Sequence, residues 1–111
     1  MKKTTAQKVD AWKTTNPLLT AMFAEVKDLS KKKPDAPLSV EQVRMINRLL
    51  EACQNVLSSQ ASLDFLDVLD EDEIPKMSYA TMLLSQYVAA MQAFHDSYHG
   101  WDGTKHTWKT E

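Results

Sequence analysis

The stretch SYATMLLSQYVAAMQAFHDSYH, Ser78 to His99, decides how the chain is read. Ala80, Leu84, Tyr87, Met91, Phe94 and Tyr98 recur with alternating spacings of four and three, which keeps them on one side of a helix. Leu83, Val88 and Ala90 widen that stripe. Ser78, Thr81, Ser85, Gln92, Asp96 and His99 fall on the opposite face, so the helix is amphipathic. Pro75 stops propagation from upstream, and Ser78 is the expected N-cap. Gly100 is expected to close the helix in the left-handed conformation, with Trp101 folding back over the last turn. About 22 residues at a rise of ~1.5 Å give roughly 33 Å, enough to span a small domain.

Working outward, the 111-residue chain has the length of one domain, 1–111. A 43% hydrophobic and 25% charged composition is ordinary for a globular fold, and two glycines disfavour sheet-and-turn architectures. Upstream, Ala6, Val9 and Trp12 suggest a short helix within a basic, partly flexible segment 1–15. Asn16-Pro17 reads as a helix start, followed by Leu19, Met22, Phe23, Val26 and Leu29 on one face and stopped by Pro34. Ser39 and Gln42 form a capping box, and Leu38 with Val43 a hydrophobic staple. Val43, Ile46, Leu50, Cys53 and Leu57 then line a core face. Ser62 is expected to cap a further helix with Leu63, Phe65, Leu66, Val68 and Leu69 inward. Asp102-Gly103 signals a turn in the polar and aromatic tail 101–111, where Thr104 to Trp108 either forms a hairpin arm or lies extended. The expected fold is all-α: a compact bundle of four main helices near 17–31, 39–58, 62–71 and 77–99.

No apolar run reaches the length of a membrane span, and no apolar segment follows Met1-Lys2-Lys3 as a signal peptide requires. The lone Cys53 excludes an intrachain disulfide and fits a cytoplasmic setting. Lying on an apolar stripe without a neighbouring base, it reads as a small core residue rather than a nucleophile. Glycine-rich phosphate loops are absent, and no Ser/His/Asp set can be assembled, so the sequence argues against an enzyme and calls for no cofactor.

Charge is uneven. Residues 1–48 carry ten Lys/Arg against five Asp/Glu, and residues 49–111 three against ten. Either the two halves neutralise each other within the bundle, or each faces a partner. The leading functional expectation is a protein-interaction module, binding a protein partner or a second copy of itself. Trp12, Trp101 and Trp108 are candidate anchors or core caps, and Asp70, Glu71, Asp72 and Glu73 a candidate docking patch for a basic surface. The alternative is an accessory subunit of a nucleic-acid-associated complex, using Lys2, Lys3, Lys8, Lys13, Lys31, Lys32 and Lys33 with Trp12 among them. A third reading is a metal site. His95 and His99 share a helix face, and His106 or a nearby Asp completes the set.

Overall fold

A computed structural model describes residues 3–111. The chain is mostly helical: α1 (Ala6–Lys32), α2 (Val40–Val56) and α3 (Met77–Tyr98) are followed by a two-stranded antiparallel hairpin, β1 (His99–Trp101) and β2 (His106–Trp108). The molecule measures 50 × 24 × 20 Å. The expected stripes are the core: Val43, Ile46, Leu50, Cys53 and Leu57 of the α2 region meet Ala80, Leu84, Tyr87, Met91, Phe94 and Tyr98 of α3, all buried.

The four-helix arrangement is not what forms; three α-helices are present among the described residues. The first difference is at Pro17, which lies inside α1 rather than at its start. A proline there removes one helical hydrogen bond and crowds the preceding turn, about 3 kcal/mol against continuity. The half-helix ahead of it is held by tertiary contacts: Val9 and Thr15 are buried, and the Trp12 indole N–H donates to the Met91 carbonyl at 2.9 Å. Thr5 supplies the real N-cap, accepting from the Lys8 N–H.

The second difference is the expected helix 62–71. Only a 3-10 turn, Ala61–Phe65, forms; the chain leaves it extended at Leu66 and continues without regular secondary structure, bending at 71–73. Side chains of the neighbouring helices take the backbone partners that a helix would have supplied. Asn47 clasps Leu69 from both sides, its amide donating to the Leu69 carbonyl and its oxygen accepting from the Leu69 N–H, each at 2.8 Å. The Tyr87 hydroxyl donates to the Asp67 carbonyl at 2.6 Å, and Gln54 donates to the Leu66 carbonyl and to the Tyr87 oxygen. With these groups satisfied the segment can lie flat on α2 and α3, burying Leu66 and Leu69. Phe65 and Val68, expected inward, point outward instead.

Both ends of α3 are closed differently from expectation. Its N-cap is Lys76, without a side-chain bond, not Ser78. The first amides are instead taken by the loop after α1: Met77 N–H donates to the Ala36 carbonyl and Ser78 N–H to the Pro34 carbonyl, while Leu38 N–H returns a bond to Pro75. The proline-rich loop is therefore a backbone cap for α3 as well as a connector. At the other end the chain passes directly into a strand, with His99 extended and Gly100 in β1 rather than left-handed. The residue that does need positive φ is Gly103, at 103°, in the hairpin turn. Asp102 closes that turn by accepting from the Thr104 and Lys105 N–H groups, which hold its carboxyl below the usual carboxylate range. By contrast, the α2 capping box and staple form as read: Ser39 and Gln42 exchange bonds of 2.8 and 3.1 Å, and Leu38 and Val43 are both buried.

Cys53 is fully buried, and burial pushes its thiol from 9.0 up to about 11. Well below pH 9 the thiol is protonated in folded and unfolded chains alike, and stability is undiminished. As pH rises towards 11 only the unfolded chain ionises, so stability falls, by on the order of 1 kcal/mol at pH 10. Tyr87, raised by the same cause to about 12, extends the loss to higher pH. Urea titrations between pH 8 and 10 should show the midpoint dropping, with a flatter profile in Cys53→Val. A wild-type midpoint independent of pH over this range would contradict the burial argument.

Candidate functional site

The residues singled out in the sequence fall into three places. Trp12, Trp108, His95 and His99 converge where the start of α1 crosses the end of α3. Trp12 lies 5.2 Å from His95 and 5.1 Å from Trp108 between ring centres, and Trp108 stands edge-on to both histidines. Trp12 and Trp108 pack against the core, so these two act as caps on the bundle. Trp101 does not fold back on α3: it is exposed at the hairpin edge beside His106, while His95 stacks on His99 and lies tilted against Trp12.

The histidines form a column of rings. His95 and His99 are 4.5 Å apart and nearly parallel, and His106 continues the column 6.3 Å from His99. Desolvation, then electrostatic repulsion from the neighbouring histidines and from Lys109 and Lys13, holds His99 below its ordinary value. Asp96 accepts from Gln92 and contacts His95, which keeps its carboxyl low. Among the described residues, no group of three His, Cys, Asp or Glu is disposed to hold a metal ion. Rings stacked face to face direct their nitrogens sideways rather than towards a shared centre, whereas tetrahedral ligation needs convergent lone pairs.

The charge runs are interleaved by the fold. Lys31 and Lys32 end α1 and Lys33 caps it; the loop that follows caps α3, immediately after the acidic run. Arg44 pairs with Glu71 at 3.1 Å and Lys76 with Asp35 at 3.8 Å, so basic and acidic halves meet within one molecule. Asp70 turns inward on its own loop, accepting from the Asp72 and Glu73 N–H groups. Lys3, Lys8 and Lys13 lie at the opposite end of α1 from Lys31, Lys32 and Lys33. That helix has 27 residues, roughly 40 Å at helical rise, so the lysines do not gather into one patch. Lys8 is engaged with Ser59, and Lys2 lies outside the described residues.

The most anomalous surface is one the sequence reading missed. Phe65 is 80% exposed at the end of the 3-10 turn. Beside it runs a groove of about 400 Å³, lined by Ser62, Leu66, Gln86, Ala89, Ala90 and Ala93 as well as Phe65 itself. Its floor is the outer face of α3. Tyr79, Met82, Gln86, Ala89 and Ala93 repeat there with three- and four-residue spacing, on a flank that turns away from the core stripe and lies beside the polar face. Met82 is 57% exposed and Tyr79 nearly as much. α3 therefore carries apolar residues on two faces, only one of which its own bundle covers. The 3-4 spacing was available in the sequence, but alanines and a glutamine diluted it. No helix of the described residues is long and apolar enough to cross a membrane, so a bilayer span does not account for the second face. Comparison with known protein families, with curated proteins and with solved structures finds no match to this chain.

Proposed function

We propose that the protein is a non-enzymatic, self-associating interaction module whose contact surface is the outer face of α3 with Phe65. The observation that carries this reading is the adjacency of a fully presented aromatic side chain and an alanine-floored groove on one face. A two-fold axis places the same patch on both subunits, so a surface must be complementary to itself to form a closed dimer. Here the knob and the hole belong to the same patch: Phe65 of each copy enters the groove of the other. Ala89 and Ala93 allow close approach of two α3 helices, and Met82 extends the contact. A few side chains seated in well-packed, desolvated pockets dominate the energy of an interface, and Phe65 in such a groove would be one of them.

The expected behaviour is a dimer in native mass spectra at micromolar protein. Phe65→Asp is expected to weaken dimerisation at least about 30-fold, the range of an interfacial hot spot. Ala93→Arg, which fills the hole, should do the same while leaving the circular dichroism spectrum unchanged. Because the ion pairs above lie within one chain, salt should alter the dimer only slightly. A wild-type monomer at about 100 μM, or a dimer indifferent to both substitutions, removes this reading; contacts of micromolar strength would be populated there.

A further inference from the structure

A second apolar groove lies between α1 and α2. It has a volume of about 430 Å³. Met22 and Leu49 form its half-buried floor, and Leu18 and Met45, exposed by 57% and 53%, are its walls. Ala21 and Ala52 also line it, with small side chains that take up little of its volume. Glu25 borders the groove from α1 and Arg48 from α2. Among the described residues neither has an ion-pair partner. From this geometry we infer that the α1–α2 groove is a docking site for an amphipathic helix of a partner protein, carrying an acidic flank for Arg48 and a basic flank for Glu25.

Three observations select that occupant. Both walls are helices whose backbone groups are satisfied internally, so they offer no edge to which an extended peptide could add as a strand. The lining residues Leu18, Met22 and Glu25 on α1, and Met45, Leu49 and Ala52 on α2, step by three or four. A third helix has ridges of the same spacing and seats in such a furrow. Finally, the rims are of opposite charge. An apolar ligand without charges would leave both unanswered, whereas a helix with cations along one flank and anions along the other answers both at once. Two methionines in the lining suit a groove that adapts its shape to the inserted side chains. The inference is independent of the α3 surface, since the two share no residue.

The test uses the full chain and three fluorescein-labelled helical peptides of about 17 residues, with one leucine stripe and flanks that are Lys/Glu, all Lys or all Glu. Fluorescence anisotropy should show the Lys/Glu peptide binding about tenfold more tightly than either single-sign peptide, a difference of ~1.4 kcal/mol. Arg48→Glu, which makes both rims acidic, should transfer the preference to the all-Lys peptide. Met45→Asp, at an exposed wall position, should weaken every peptide at least about tenfold with the helical spectrum retained. Phe65→Asp should leave all three affinities unchanged, which separates failure of this site from failure of self-association. The inference is overturned if no peptide saturates below about 1 mM, if Arg48→Glu does not alter the preference, or if Met45→Asp has no effect on binding. It is equally overturned if Leu18→Glu dissociates the native dimer, because the groove would then be an interface between copies.

Discussion

Replacing Asn47 by leucine is expected to destabilise the fold by about 2–5 kcal/mol, although the side chain keeps its size and is only half-buried. The reason is what it leaves behind. Asn47 is the partner of both the N–H and the carbonyl of Leu69, and Leu69 is buried. Each backbone group stranded away from water carries a penalty of about 1–3 kcal/mol. Among the described residues no buried side-chain polar atom lacks a partner, so the wild-type network has no slack. Urea denaturation followed by circular dichroism measures the loss. Hydrogen exchange at the Leu69 amide should show protection in the wild type and rapid exchange in the variant under native conditions. A shift below about 0.5 kcal/mol, with the Leu69 amide still protected, would mean that the extended segment is held by packing alone.

Trp12→Ala should be of similar or greater size, about 3–5 kcal/mol, as for other large aromatic truncations. A domain of this length has only about 5–15 kcal/mol of net stability, so the variant is expected to be partly unfolded at physiological temperature. Trp12 supports three elements at once: the N-terminal half of α1, the last turns of α3 through the Met91 carbonyl, and β2 through Trp108. Without it, the half-helix ahead of Pro17 loses its anchor and the proline penalty stands unopposed. Trp12→Phe keeps a ring and loses the hydrogen bond, so it should recover most of the stability. Thermal and urea unfolding of the three proteins orders them. If Trp12→Ala loses less than about 1 kcal/mol, the aromatic cluster is decoration on a bundle that does not need it.

These two residues also show where sequence reading stops. Local signals were legible: the Ser39–Gln42 box, the staple of Leu38 on Val43, the core stripe of α3 and the Asp102-Gly103 turn all involve residues within a few positions of each other. What misled the reading acts across the chain. Asn47 reaches 22 positions to Leu69, and nothing in the run 62–71 announces that its backbone will be satisfied from outside. Periodicity therefore suggests a helix with Phe65 inside, whereas a 3-10 turn followed by irregular chain puts it outside. Asn16-Pro17 reads locally as a helix start, but burial of Val9 and the packing of Trp12 carry the helix back to Ala6, ahead of the proline. Of the candidate residues, Trp12 and Trp108 pack on the core, the lysines lie at both ends of α1, and the acidic run is partly engaged by Arg44 and its own turn. The exposed apolar surfaces became visible only once the fold showed which faces were already covered.

One small feature bears on how the molecule resists being pulled. Thr4 pairs with the chain just beyond β2: its N–H donates to the Lys109 carbonyl, and its carbonyl accepts from Glu111, in parallel orientation to Thr110. Parallel strands at opposite ends of a chain slide lengthwise when those ends are drawn apart. Tension applied there therefore loads both bonds together in shear instead of peeling them one by one. The hairpin, pinned between this clasp and Trp12, is the first element such a load would reach, and the rate of unfolding under force would be set at this end of the molecule while α2 and the loop that caps α3 remain unstressed.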